Sequence, residues 1–336
     1  MMDTHISLAH GNGGRMMREL IDELFVRCLA SPGLDTRVDA ARVELPDDDM
    51  QLLVTTDGFT VQPLEYPGGN IGSLAVHGTV NDLAVAGATP AVLTVNAFIE
   101  EGLEIATLER LVTTMGKAAR EAGVRIAAGD TKVVRRGEGG GVYFATTGIG
   151  FRRPHLDLGI HRIGAGDVML VSGPVGDHGT AVMLAREQFG LKGELESDDA
   201  SVLPLTQALL DLDGLRFMRD PTRGGLATVA CEIAAVTGHG VRLTEASIPV
   251  RDKVRSVCEM LGYDPYYLAC EGRVVAVVAE QDAEEALSRW RELPAGESAQ
   301  IIGVVVDAEP RVILETPLGG ERYLEELEDD PLPRIC

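Results

Sequence analysis

No two cysteines of this sequence form a C-x-x-C pair, and none stands with histidine at the spacing of a zinc site. The five present, Cys28, Cys231, Cys258, Cys270 and Cys336, are odd in number and irregularly spaced, which speaks against a disulfide framework and against structural zinc. There is no run of about 18 apolar residues, and the first residues, MMDTHISLAHGNGG, have neither the basic nor the apolar stretch of a signal peptide. These absences predict a cytoplasmic protein with no membrane partner. Positive charge is also scarce: 30 Lys and Arg against 52 Asp and Glu leave a formal charge of −22. A phosphate backbone is gripped by a Lys/Arg surface, so nucleic acid is not an expected partner. A nucleotide stays open to such a chain only through local devices: glycine-rich backbone donors, a few cations, or a metal ion between carboxylate and phosphate. No repeat with a period of roughly 20–50 residues is visible, which excludes a solenoid.

What is present is ample apolar material. The 336 residues are 45% apolar, enough for a sizeable core and, by length, two domains. Strand-like runs bounded by Gly, Asp or Pro recur at 51–58, 91–100, 141–150, 167–173, 273–279, 299–306 and 311–316. Helical periodicity marks 14–30, 70–87, 106–123, 224–238 and 282–293. The class is mixed α and β, and the pattern leaves a parallel doubly wound sheet and an α+β arrangement both open. RRPHLDLGIHRIGAG (152–166) separates the halves, predicting domains over 1–153 and 154–320. The remainder, 321–336, begins as a possible amphipathic turn, becomes acidic and meets Pro331 and Pro333, which favour an extended tail.

Five segments carry candidate chemistry. HGNGG (10–14) precedes a helix and fits neither the P-loop nor G-x-G-x-x-G; an ordinary N-cap is its plain reading. TTDG (55–58) places Asp57 at a strand end, and HGTVND (77–82) sets His77 and Asn81 one helical turn apart, with Asp82 beside them in an apolar helix. AAGDTKVV (127–134) is an apolar strand running into Gly129, Asp130, Thr131 and Lys132, and in MRDPTRGGLATVA (218–230) Asp220 precedes a glycine pair that opens a helix. Aspartate is a common cap and turn former, so each alone has a structural reading. Together the four resemble the oxygen ligand set with which Mg²⁺ bridges carboxylates to phosphates, the setting for metal-assisted phosphoryl transfer. Lys132 and Glu271, the latter in ACEGRVV (269–275), lie on no solvated helical face, although a surface ion pair would also account for them. Cys28, Cys231 and Cys258 sit in helical patterns as small apolar residues. Cys336 ends the stretch PLPRIC: it is no prenylation signal, and either it is an incidental residue or its thiol carries an acyl-type group on an extended tail.

In this order HGNGG, TTDG, HGTVNDLAVAGATP, AAGDTKVV, DPTRGGL and PRIC resemble the HypE family of hydrogenase maturation factors, the carbamoyl dehydratases of nickel-iron hydrogenase assembly. That family lies within the superfamily of aminoimidazole ribonucleotide synthetase, selenophosphate synthetase and thiamine-monophosphate kinase, and PRIC is what narrows the resemblance to HypE. Selenophosphate synthetases have a reactive residue near the N-terminus, whereas here no cysteine precedes Cys28. The resemblance covers essentially the whole chain. It implies a two-domain α+β PurM-like fold, with an N-terminal domain lending strands to a barrel at a homodimer interface, and a flexible C-terminal tail. It implies ATP-dependent dehydration of an S-carbamoyl group on Cys336 to a thiocyanate, with the carbamoyltransferase HypF and an iron-carrying HypC-HypD complex as partners. By matching position, Asp57, Asp82 and Asp220 would be Mg²⁺-phosphate ligands, with Asp130 a further candidate. Gly11, Asn12, Gly13, Gly14, Asn81, Thr131 and Arg223 would bind ATP. Glu271 would act as base and Lys132 as electrostatic stabiliser near Cys336. A superfamily kinase or synthetase acting on a free small molecule, for which Cys336 is dispensable, and a non-enzymatic docking protein are the alternatives.

Overall fold

The computed structural model describes residues 4–12, 14–36, 38, 40–46, 49–186 and 195–327. Gly13 and Cys336, both expected at the site, lie outside the described residues. The described residues divide into two units, one holding those up to 83 and 88–154, the other 84–87 and those from 155 to 327.

The first unit opens with α1 (Arg15–Leu20), a π-helical stretch (Ile21–Val26) and α2 (Arg27–Leu29), together the helix expected over 14–30. There follow β1 (Gln51–Phe59), the short β2 (Glu65–Tyr66) and β3 (Gly69–Asn70), α3 (Ile71–Val85), β4 (Thr89–Glu100), α4 (Ile105–Glu121), β5 (Arg125–Val134) and β6 (Val142–Arg152). A four-stranded sheet runs in the order β1-β6-β4-β5 and is antiparallel except for the β4–β5 pair, which α4 connects. In β6, residues 142, 144, 146, 148 and 150 are buried and their neighbours half-buried, the two-residue period of a strand with one packed face. α3 is apolar almost all round and is accordingly buried along most of its length. Its start is fixed by Asn70, whose Oδ1 accepts the N–H groups of Gly72 at 2.8 Å and Ser73 at 3.2 Å, while Ser73 Oγ accepts the N–H of Asn70 at 3.1 Å. α4 presses so close here that a Cβ on Gly72 would lie 2.1 Å from the Leu111 carbonyl oxygen.

The second unit contains β7 (Val168–Val171), α5 (Asp177–Ala185), α6 (Leu203–Gln207), β8 (Leu215–Arg219), α7 (Gly225–Thr237), β9 (Gly240–Thr244), α8 (Asp252–Leu261), β10 (Val275–Val278), α9 (Ala283–Arg291), β11 (Gln300–Val306), β12 (Val312–Glu315) and β13 (Glu321–Leu324). Its seven-stranded sheet, β13-β12-β9-β11-β7-β10-β8, is antiparallel except where β12 meets β9. Both sheets mix strand directions with antiparallel pairs dominant, so the arrangement is α+β and not doubly wound. β10 is valine-rich and wholly buried, as expected for an interior strand covered on both faces.

Three expectations are corrected. The strand running into Gly129–Lys132 does not stop there: β5 continues to Val134 and pairs with β4, with one register shift at Leu93/Thr94. Asp57 lies inside β1, paired with Thr146, and not at the strand's end. The tail does not start at 321, because Glu321–Leu324 pair with β12. The next residue is held as well: Tyr267 Oη donates to the Glu325 carbonyl oxygen at 2.8 Å and accepts the Glu325 N–H at 3.1 Å. Among the described residues no helix is long and apolar enough to cross a membrane.

Candidate functional site

In the first unit strand alternation sorts the expected residues onto two faces. Along β1, Thr55 and Asp57 point toward α3: Thr55 Oγ1 donates to Asp82 Oδ2 at 2.7 Å, and a Cβ on Gly78, one helical turn before Asp82, would lie 3.9 Å from Asp57 Oδ2. Asp57 Oδ1 accepts the N–H of Gly58 at 2.7 Å. Asp57 and Asp82 therefore share the β1–α3 seam, with Asn81 buried beside Asp82. Asp130 and Lys132 belong to the opposite face of the sheet. Register places Asp130 level with Asn96, Ala145 and Gly58, whereas Asp57 is level with Gly129. There the two form an exposed ion pair of 2.8 Å, and the ammonium group holds the Asp130 carboxyl below the usual carboxylate range. Asp130 is thus Lys132's partner and does not join Asp57 and Asp82, a separation that follows from Asp130 lying within a strand. Thr131, between them in sequence, is buried on the other side.

The N-terminal glycine segment is strapped to the same strand. A Cβ on Gly11 would come within 2.8 Å of Val133 Cβ and 2.9 Å of its backbone nitrogen, so only glycine permits this approach. His10 is buried, its Nδ1 accepting the Ser7 N–H at 3.1 Å, and Asn12 Oδ1 accepts the Gly14 N–H at 3.0 Å ahead of α1. Gly11 is thereby set against Val133 of β5, the residue after Lys132.

In the second unit the structure joins segments far apart in sequence. The DPTRGG turn leads into α7 through Gly224 and Gly225, with φ of 73° and 60°. A Cβ on Gly225 would lie 2.6 Å from the carbonyl oxygens of both Leu268 and Tyr266. Cys270 donates its N–H to the Pro221 carbonyl oxygen at 3.0 Å, so buried Asp220 and the loop bearing Glu271 are fixed together. Arg223 is exposed on the same turn. Glu271 is only 2% exposed, and beneath it runs a charge network that sequence reasoning missed. Asp198 Oδ1 accepts the Glu271 N–H and Oδ2 the Gly272 N–H, each at 3.2 Å; Arg273 Nε lies 3.5 Å from Asp198 Oδ2 and its Nη2 3.6 Å from Asp177 Oδ2. Arg251 Nε donates to Asp177 Oδ2 at 2.8 Å, while Asp177 Oδ1 has no hydrogen-bond partner among the described residues. Burial raises the Asp177 carboxyl above its ordinary value, the nearby Asp198 charge adds to this, and Arg251 and Arg273 oppose it. Burial likewise pushes the Cys270 thiol well up; it accepts the Gly176 N–H at 3.2 Å and is no nucleophile. In sequence Asp177 and Asp198 look like ordinary turn aspartates, and only their burial betrays them.

Carboxylate oxygens are the donors Mg²⁺ requires, and Asp57 with Asp82 fits that demand. Among the described residues no group of three Asp, Glu, His or Cys side chains could hold a metal ion. The first unit thus holds a carboxylate pair at the β1–α3 seam, and in the second unit Glu271 is buried on a loop whose backbone is held at residues 270–272.

Residues 37–151 match the family AIR synthase related protein, N-terminal domain, and residues 164–315 match AIR synthase related protein, C-terminal domain. The two α+β units with their glycine turns thus define a two-domain protein of the AIR synthase related, PurM-like class. Carbamoyl dehydratase HypE of Azotobacter vinelandii is 46% identical over 98% of this chain and 97% of its own length. The crystal structure of hydrogenase maturation protein HypE in complex with ATP superposes with a TM-score of 0.92 at 44% identity, covering 98% of this chain and 99% of that one. A HypE chain from the HypE-HypF complex gives 0.80 at 38% identity over 94% of this chain and 100% of that one. The chain belongs to the HypE family of carbamoyl dehydratases.

Proposed function

We propose that this chain is an ATP-dependent carbamoyl dehydratase of hydrogenase maturation that carries its substrate on Cys336. HypF transfers a carbamoyl group to the thiol, giving S–C(=O)–NH2. The carbonyl oxygen attacks the terminal phosphorus of ATP, ADP leaves and one N–H proton is lost. Departure of inorganic phosphate with the second N–H proton then leaves S–C≡N. Phosphorylation is needed because oxide is a poor leaving group from an amide carbon and phosphate a good one. Glu271 takes the first N–H proton while the second leaves with the phosphate, and Lys132, oriented by Asp130, stabilises negative charge on the phosphorylated intermediate. Gly11, Asn12, Gly13, Gly14, Asn81, Thr131 and Arg223 hold ATP. Asp57 and Asp82 would hold Mg²⁺, with Asp220 a candidate on its own unit, and the ion when bound would neutralise phosphate charge. The nitrile passes to iron on HypC-HypD.

The observation that carries this reading is Glu271, buried at 2% exposure on a loop tied down at residues 270, 271 and 272, in a chain with a HypE-like sequence throughout and a C-terminal PRIC. Likeness over the full length to HypE disfavours a kinase for a free small molecule. Association into a homodimer is supported by the outer sheet face, where Leu52 and Val54 are 54% and 61% exposed beside Phe98, Ile149 and Phe151. Two such faces can close into a barrel. A cytoplasmic location agrees with the free thiols of Cys28, Cys231, Cys258 and Cys270.

The test is intact mass after incubation with HypF and carbamoyl phosphate, before and after Mg-ATP. Cys336 should gain one carbamoyl group and lose one water only with ATP, and Glu271→Gln should keep the first step and ATP binding while stalling the second. ATP consumption with Cys336 unmodified would overturn the reading.

A further inference from the structure

We propose that Asp198 is the positioning residue of Glu271, gripping its loop from behind the peptide chain. This rests on the assignment of Glu271 as base. Asp198 comes from an irregular segment, yet its side chain is 1% exposed, and each of its oxygens takes a different N–H: Oδ1 that of Glu271, Oδ2 that of Gly272, both at 3.2 Å. Two bonds from one planar carboxylate to successive peptides fix the orientation of the backbone and hence the direction in which the Glu271 side chain leaves it. The approach is tight, since a Cβ on Gly272 would lie 1.9 Å from the Asp198 carbonyl oxygen. The grip is itself braced. Arg273 faces Asp198 Oδ2 at 3.5 Å and donates to the Pro174 carbonyl oxygen at 3.0 Å, and Ser197 Oγ is bonded to His178 Nδ1 at 2.8 Å and accepts the Asp199 N–H at 3.0 Å. A base must be held within a fraction of an ångström of the proton it takes, and a displacement of about 1 Å costs on the order of 100-fold in rate.

Asp198→Asn replaces one acceptor oxygen by an N–H2 group that must face an N–H or the Arg273 guanidinium. In the full-length protein the expected result is unchanged carbamoylation by HypF and an unchanged KM for ATP, with kcat for dehydration lowered roughly 10- to 100-fold. Amide hydrogen exchange should quicken at Glu271 and Gly272, and Asp198→Glu, which keeps the carboxylate, should recover part of the rate. A merely structural role would lower thermal stability and disturb KM and carbamoylation together. Gly272→Ala, which displaces the loop with the carboxylate intact, is the second variant, with the same selective loss of kcat expected. If Glu271→Gln is inactive but folded Asp198→Asn or Gly272→Ala dehydrates at the normal rate, the positioning role is overturned alone. If Glu271→Gln dehydrates normally, the assignment of the base has failed instead.

Discussion

Replacing Gly225 by alanine would place a methyl carbon 2.6 Å from two carbonyl oxygens, those of Leu268 and Tyr266, and 2.9 Å from the Tyr267 carbonyl carbon. These are backbone atoms of the loop that leads to Glu271, so no side chain can rotate out of the way. Two costs combine. The left-handed φ of 60° strains any residue with a Cβ by about 1–2 kcal/mol, of which the stiffer unfolded chain returns about 0.4–1 kcal/mol. Forcing the loop outward adds about 1–3 kcal/mol, the usual cost of overpacking. Gly238, at the other end of α7, supplies the control: its φ is 74°, but nothing lies within 4 Å of its Cβ position. Gly238→Ala should therefore cost about 1 kcal/mol or less and Gly225→Ala about 2–4 kcal/mol. For a domain of this size that is roughly 2–4 °C against roughly 5–15 °C in Tm. Calorimetry of both variants gives the comparison, and the dehydration assay should find Gly225→Ala impaired and Gly238→Ala normal. Equal shifts in Tm would refute the argument from close approach.

Val54→Glu introduces charge on the exposed outer face of β1 and should convert a homodimer to monomers in sedimentation, with the fold retained by circular dichroism. Asp82→Asn keeps an acceptor for Thr55 Oγ1 and should fold, but weaken Mg²⁺-dependent ATP binding in titration calorimetry by roughly 10-fold or more; an unaltered Mg²⁺ dependence would remove Asp82 from the metal site. Glu100 accepts the N–H groups of Gly137 at 2.6 Å and Gly141 at 2.9 Å, and these bonds lower its pKa from the ordinary 4.5. With the folded-state pKa depressed, the stabilisation is full above the unfolded value and is lost as pH falls through the folded one. Urea unfolding of wild type and Glu100→Gln should differ at neutral pH, begin to converge as pH falls below the ordinary 4.5 and coincide only once it has passed below the depressed folded-state value.

Much of the secondary structure was legible because its signals are local. Apolar runs marked β1, β4, β6, β10, β11 and β12, and helical periodicity marked α3, α4, α7 and α9 within a few residues of their ends. Other elements were missed for physical reasons. β5 contains Gly129-Asp130-Thr131, which has the local chemistry of a turn, and pairing with β4 overrides it. β13 is rich in charge because it is an edge strand, and so it resembled the start of a tail. α8 begins after Pro249 and buries only Val254, Val257 and Cys258 among its charged residues, an apolar face too short to stand out in the sequence.

By itself the sequence determined the motifs, their order, the family they resemble and the residues able to carry the chemistry, since side-chain type and short spacing are properties of the chain alone. Tertiary structure decided which of those residues meet. Strand alternation put Asp57 with Asp82 and turned Asp130 to the other face beside Lys132, a difference of one peptide in register. Chain crossings brought Asp198 beneath Glu271 and Pro221 against Cys270 over separations of tens of residues. Such contacts leave no local trace, because a buried carboxylate and an exposed turn aspartate are the same letter until the fold removes water from one of them.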